Sequence, residues 1–215
     1  MKTFPIMLDM HRRSAVVVGA GPVGLRRARA LVEAGARVTL VDPAAPADAP
    51  EGVTVVRAPY EPAQLAGATL VFACTDDREL NSRIAADARR AGALANAADQ
   101  VADCDFHCPA LIRDRDVVVA VGTGGTAAAL AVTLRDRLAS AMPARVGEFA
   151  EALAALRGQV RPMGPARRRM EITGRLSSQE AYDIFVARGP AGLRQMLEQL
   201  VKESADADPV RRTGP

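Results

Sequence analysis

The sequence predicts an α/β protein: a doubly wound parallel sheet, then a short connecting region, then helices only. Three observations carry this. A β-branched run, Val16-Val17-Val18, leads into Gly19-Ala20-Gly21-Pro22-Val23-Gly24. Apolar runs and helix-period segments then alternate through the first half of the chain. After Pro143 the apolar spacing is helical throughout.

Taken in order, the apolar runs stand at 15–18, 38–41, 53–56, 69–73 and 93–95. Helical patterns fill 22–34 and 80–91, with a short turn of helix at 62–66. In the first helix Val23, Ala28, Leu31 and Val32 share one side. Gly35 and Gly92 follow the two helices as stop signals. The stretch 43–52 holds three prolines and reads as a surface loop. A further strand at 117–121 runs into Gly122-Thr123-Gly124-Gly125-Thr126, which opens a helix carrying Leu130, Ala131, Leu134 and Leu138. Beyond Pro143, Val146, Phe149, Leu153 and Leu156 line one face. Ser177-x-x-Glu180 resembles a capping box before a helix at 182–187. Pro190 starts a last helix with Leu193, Met196, Leu197, Leu200 and Val201 inward.

The strand–glycine–helix pattern is that of a Rossmann-type dinucleotide site. Gly19 permits the tight turn, Gly21 lets backbone approach a pyrophosphate, and Gly24 lets the helix pack on the sheet. The helix N-terminus offers free N–H groups and partial positive charge to phosphates. Asp42 ends the second strand, where an acid can accept from a ribose 2′-hydroxyl and repel a 2′-phosphate. This favours NAD over NADP. Without that context the same glycines would serve as an ordinary turn.

Composition narrows the alternatives. The 215 residues hold 28 Lys+Arg and 25 Asp+Glu, with 49% hydrophobic and 25% charged residues, in the range of globular proteins. No apolar run approaches the roughly 20 residues of a membrane span, and Met1-Lys2-Thr3-Phe4-Pro5 lacks the apolar core of a signal peptide. We therefore expect the cytoplasm, no membrane partner and reduced cysteines. Residues 1–143 carry 16 basic and 16 acidic residues, and residues 144–215 carry 12 and 9. The excess centres on Arg157, Arg161, Arg167, Arg168, Arg169 and Arg175, with Glu171 the one acid among them. Such a patch suits nucleic acid or a small polycarboxylate, and equally a solvated helix face. The neutral first 143 residues, and aromatics at 3%, argue against a nucleic-acid binder. Cys104, His107 and Cys108 fall within five residues, too few for a four-ligand zinc site. His107 and Cys108 are weak metal candidates beside the alternative of a small buried cysteine pair with a surface histidine.

Motifs over residues 4–140 resemble the precorrin-2 dehydrogenase family, which includes the dehydrogenase–ferrochelatase part of siroheme synthases. They are Phe4-Pro5-Ile6, the Gly19–Gly24 fingerprint, Ala34-Gly35-Ala36-Arg37-Val38-Thr39, and Ala73-Cys74-Thr75-Asp76-Asp77 with Leu80-Asn81. Asn96-Ala97-Ala98-Asp99, Asp105-Phe106-x-x-Pro109-Ala110 and Val119-Ala120-Val121-Gly122-Thr123-Gly124-Gly125-Thr126 follow in family order. One departure is that Thr126-Ala127-Ala128 stands where the family often has x-Ser-Pro.

The resemblance implies NAD-dependent oxidation of precorrin-2, a polycarboxylate tetrapyrrole, to sirohydrochlorin. Some relatives also insert metal, so Fe²⁺ or Co²⁺ joins the expected partners. It implies a homodimer and four regions: an NAD-binding Rossmann domain at 1–112, a dimerisation region at 113–143, a helical domain at 144–203 and a flexible tail at 204–215. Gly19, Gly21, Pro22, Val23, Gly24, Asp42, Pro43, Thr75 and Asp76 are assigned to the cofactor. Asp99 matches the family's catalytic aspartate; read alone, it is equally a cap or turn residue. Thr123 matches a residue near the tetrapyrrole, or else caps a helix. Arg157, Arg161, Arg167, Arg168 and Arg169 would hold substrate carboxylates. Competing readings are a dehydrogenase of another substrate on this scaffold and a non-catalytic NAD-sensing module.

Overall fold

The computed structural model describes residues 3–98 and 100–206. Asp99 and positions 207–215 of the expected tail lie outside the described residues. The chain divides into two compact units, Met1–Pro109 with Gly122–Ala128, and Ala110–Val121 with Ala129–Pro215.

The first unit contains β1 (Ser14–Val18), α1 (Pro22–Glu33), β2 (Arg37–Val41), β3 (Val53–Val56), β4 (Leu70–Ala73), α2 (Arg78–Arg90) and β5 (Leu94–Ala97). Short 3₁₀ turns occupy Pro62–Leu65 and Val101–Asp103. The five strands form one parallel sheet in the order β3-β2-β1-β4-β5. Strand order reverses between β1 and β4, the position at which doubly wound sheets open a crevice at their carboxyl ends. The central strands β1 and β4 read as unbroken apolar runs over 15–18 and 70–73 because helices cover both faces. Val16, Val18 and Val71 pack with Ile84 and Ala85 of α2. Val17, Leu40 and Phe72 pack with Ala28 and Leu31 of α1.

The helix ends follow from their sequences. Pro22 supplies the first residue of α1 after an extended Gly21 cap. At its far end, Gly35 is left-handed and Ala36 N–H donates to Leu31 O at 3.0 Å. Asp77 caps α2, accepting from Glu79 N–H and Leu80 N–H at 2.9 and 3.0 Å. One expectation needs correction: Val23 is 37% exposed, and Gly24 takes the inward position beside Ala28 and Leu31. The close approach of α1 to β1 leaves no room for a side chain there.

The second unit opens with an antiparallel hairpin, β6 (Ala110–Asp114) and β7 (Val117–Val121). Only β7 is evident in the sequence. β6 escapes notice because its end and the turn read Arg113-Asp114-Arg115-Asp116, and its faces alternate between partly buried and exposed. Arg115 makes the turn with φ of 54°. Four helices follow: α3 (Ala128–Ala141), α4 (Val146–Val160), α5 (Ala166–Leu176) and α6 (Gln179–Asp206). Helices α4, α5 and α6 enclose a core that includes Phe149, Leu156, Ile172, Phe185 and Leu197. Gly147 of α4 donates to the Asp114 carboxylate at 2.7 Å, docking the helix on the hairpin. Helix α6 kinks at Gly189, φ 64°, so Pro190 begins its final straight segment as expected. The expected cap at Ser177 is shifted by one residue. Ser177 N–H still donates to Thr173 O within α5, while Ser178 Oγ accepts from Ala181 N–H at 3.3 Å.

Two substitutions test this packing. Gly24→Ala would put a Cβ 1.9 Å from Gly19 O and should lower stability by more than about 2 kcal/mol. Phe185→Ala, at a side chain 1% exposed, should cost about 3–5 kcal/mol. Urea unfolding midpoints check both.

Candidate nucleotide site

The parallel register aligns the carboxyl ends of the strands: Val18 stands beside Val41 on one side and Ala73 on the other. The residues that follow are therefore neighbours. Gly19 N–H donates to Val41 O at 2.9 Å, Cys74 N–H to Val18 O at 2.7 Å, and Ala98 N–H to Ala73 O at 2.9 Å. Gly19 holds φ of 101°, and a Cβ there would lie 2.4 Å from Cys74 O. Beside Gly21, by contrast, an added Cβ would meet nothing within 4 Å. Gly21 thus borders open space at the N-terminus of α1, where the first N–H groups precede any i−4 carbonyl partner. That is the room and polarity a pyrophosphate requires, so the residues present fit a dinucleotide.

Asp42 is more than a ribose acceptor in waiting. One carboxylate oxygen accepts from Ala20 N–H at 2.6 Å and the other from Ala44 N–H at 2.7 Å. The side chain ties the glycine turn to the end of β2, and each oxygen keeps a further acceptor site. On the other side of β1, Asn81 is 2% exposed and fixes the loop after β4. Its Oδ1 accepts from Thr75 N–H at 3.1 Å and from Thr75 Oγ1 at 2.7 Å, while its Nδ2 donates to Thr75 O at 2.9 Å. Asp76 is exposed on that loop.

A cavity of about 230 Å³ is bounded by Gly19, Asp42, Pro43 and Thr75. Four of the expected cofactor residues therefore meet at one cavity. The rest of its wall includes Pro59, Tyr60, Leu80 and Arg83, which sequence reasoning missed. Leu80 and Arg83 are three apart on α2, a spacing that puts both on one helix face, and this was the available signal. Tyr60 Oη donates to Asp87 at 2.8 Å, and Asp87, 6% exposed, also contacts Arg90. Burial raises the Tyr60 pKa, against the opposing pull of the Arg83 and Arg90 charges.

The segment after β5 carries the soft ligands. Phe106 packs edge-on against Phe72 with ring centroids 5.3 Å apart. The Cys104 thiol approaches Ala97 O and Gln100 O at 3.2 and 3.3 Å. Cys108 packs into the cluster on the α1 side of the sheet. Burial raises both thiol pKa values. Nε2 of His107 is buried without a hydrogen-bond partner. Among the described residues, no three or more His, Cys, Asp or Glu side chains gather as metal ligands. Thr123 Oγ1 accepts from Ala127 N–H at 3.3 Å, and its carbonyl accepts from Thr126 Oγ1 at 2.7 Å, a capping geometry ahead of α3. In the second unit, Arg169 Nη1 donates to Gly164 O and Arg168 Nη2 to Val201 O at 3.4 Å. Arg157, Arg161 and Arg167 are exposed.

Comparison with known proteins agrees with this site. The family model described as "Putative NAD(P)-binding" matches residues 6–110. Siroheme synthase 1 of Aeromonas salmonicida is 35% identical over 96% of this chain and 46% of its own length. The siroheme synthase of Chromobacterium violaceum is 40% identical over 79% of this chain and 38% of its own. The chain thus spans about half the length of the curated relatives it matches, or less. The solved structure of SirC, precorrin-2 dehydrogenase, shares the fold with a TM-score of 0.72. It is 21% identical, covering 92% of this chain and 100% of that one. With its Rossmann-type sheet, its glycine turn and an alignment that takes in 96% of its own length, the chain is similar to siroheme synthases over less than half of theirs.

Proposed function

We propose that this chain oxidises precorrin-2 to sirohydrochlorin, with NAD as hydride acceptor, in the cytoplasm. The observation that carries the proposal is the cavity at the strand switch point, in a chain aligned over 96% of its length with a siroheme synthase. The reaction removes a hydride and a proton from the macrocycle and extends its conjugation. When bound, the nicotinamide supplies the hydride acceptor.

The protein's own residues do the rest. Gly21, Pro22, Val23 and Gly24 open α1 and present its positive end to the pyrophosphate. Asp42 keeps its free acceptor sites for ribose hydroxyls and repels a 2′-phosphate, and Pro43 walls the adenosine end. Thr75 and Asp76 border the crevice on the loop fixed by Asn81. Asp99, next after Ala98 in the sequence, takes the departing proton or orients the ring. Thr123 contacts the tetrapyrrole from the glycine turn. Arg157, Arg161, Arg167, Arg168 and Arg169 receive its carboxylates through paired N–H donors. A homodimer is supported by α3, which exposes Leu130, Val132, Leu134 and Leu138 at 51, 43, 38 and 46%. Its interface is drawn largely from residues 113–143.

Anaerobic incubation with precorrin-2 and NAD tests the activity. Appearance of NADH together with the sirohydrochlorin chromophore is expected, and absence of both would reject it. Repeating with Fe²⁺ or Co²⁺ reads metal insertion. Asp99→Ala should leave NAD affinity nearly unchanged while turnover falls roughly 10²-fold or more; parent-rate turnover would remove its role. Asp42→Ser should narrow the preference for NAD over NADP and also weaken both, because the carboxylate braces the glycine turn. Equal affinity of the parent protein for the two nucleotides would count against Asp42. Sedimentation at micromolar concentration should show a dimer, and a monomer alone would sink the assembly.

A further inference from the structure

Arg83 stands out among the cationic side chains of α2. It lines the cavity that holds Gly19 and Asp42, yet no carboxylate pairs with it among the described residues. Its neighbours on the same helix are committed: Arg89 Nε meets Asp105 at 2.9 Å, and Arg90 contacts Asp87. Asp87 in turn accepts from Tyr60, which fixes that ring as a wall of the cavity. The one nearby buried acid is thus spent on Tyr60 and Arg90.

The cavity's chemistry narrows what Arg83 is free to meet. Val41, Pro43, Pro59 and Leu80 make its walls apolar, and Asp42 and Arg83 balance each other in charge. A neutral, flat heteroaromatic suits that combination. A second phosphate would press two more negative charges against Asp42. A guanidinium is planar and stacks on aromatic faces, which an ammonium cannot do as well.

We propose that Arg83 lies against the adenine ring of the bound dinucleotide and so holds the adenosine end in this cavity. The inference rests on the nucleotide reading above and adds to it a binding residue on α2. Titration calorimetry on the full chain with NAD, NADP and ADP-ribose tests it, using the parent protein, Arg83→Ala and Arg83→Lys. The Arg83 side chain is exposed, so neither substitution disturbs the core. Arg83→Ala should weaken all three ligands by the same factor, about tenfold. Arg83→Lys should restore only a minor part, since it returns charge without a planar face. Unchanged affinity in Arg83→Ala would overturn the proposal, as would a loss confined to NADP, which would make Arg83 a phosphate ligand. Failure of the parent protein to bind NAD and ADP-ribose would instead reject the nucleotide reading itself.

Discussion

The corner formed by Gly19, Gly24 and Cys74 constrains the whole first unit. A Cβ on Gly19 would stand 2.4 Å from Cys74 O, and one on Gly24 would stand 1.9 Å from Gly19 O. Backbone therefore touches backbone at the point where β1, α1 and β4 meet. That contact sets how steeply α1 leaves the sheet, and hence where its N-terminal N–H groups point. The crevice after β1 and β4 exists because no side chain fills this corner. Asp42 completes it by bridging Ala20 N–H and Ala44 N–H, so the acid that ends β2 is structural before it meets any ligand.

This double use of Asp42 bears on its chemistry. A carboxylate already holding two backbone donors is oriented, and it loses little freedom on accepting a further hydroxyl. Pre-orientation of this kind lowers the cost of binding. The same logic applies across the cavity, where Tyr60, Asp87 and Arg90 form a closed polar chain around a buried acid. A buried carboxylate left alone would be costly, and its two partners offset that cost. The result is a wall that stays in place without a ligand.

Much of this was legible in the sequence. The five parallel strands, α1, α2 and the helical last third follow from apolar runs and helical spacing, because burial on both faces leaves a continuous record. Gly19 and Asp42 could be grouped in advance because the fingerprint fixes their place in a fold, and Pro43 and Thr75 because the family resemblance implied them. β6 could not, since charge at its turn masks a short two-residue alternation. Arg83 and Tyr60 were invisible for a different reason. They reach the cavity from α2 and from the segment after β3, elements that meet the fingerprint in space and not in sequence. Val23 shows the converse: its apolar character suggested burial, but the glycine contact beside it turned the helix the other way.

The loop after β4 carries one further consequence. Asn81 engages the amide, the hydroxyl and the carbonyl of Thr75 at once. The Thr75 amide is therefore already spoken for and is no donor for an incoming phosphate. Its hydrogen should exchange slowly with solvent, although it sits at the mouth of a cavity, because release requires Asn81 to leave its buried position. The crevice is then open on one side and braced on the other. The open space beside Gly21 accommodates a guest, while the Thr75 side acts as a fixed jaw.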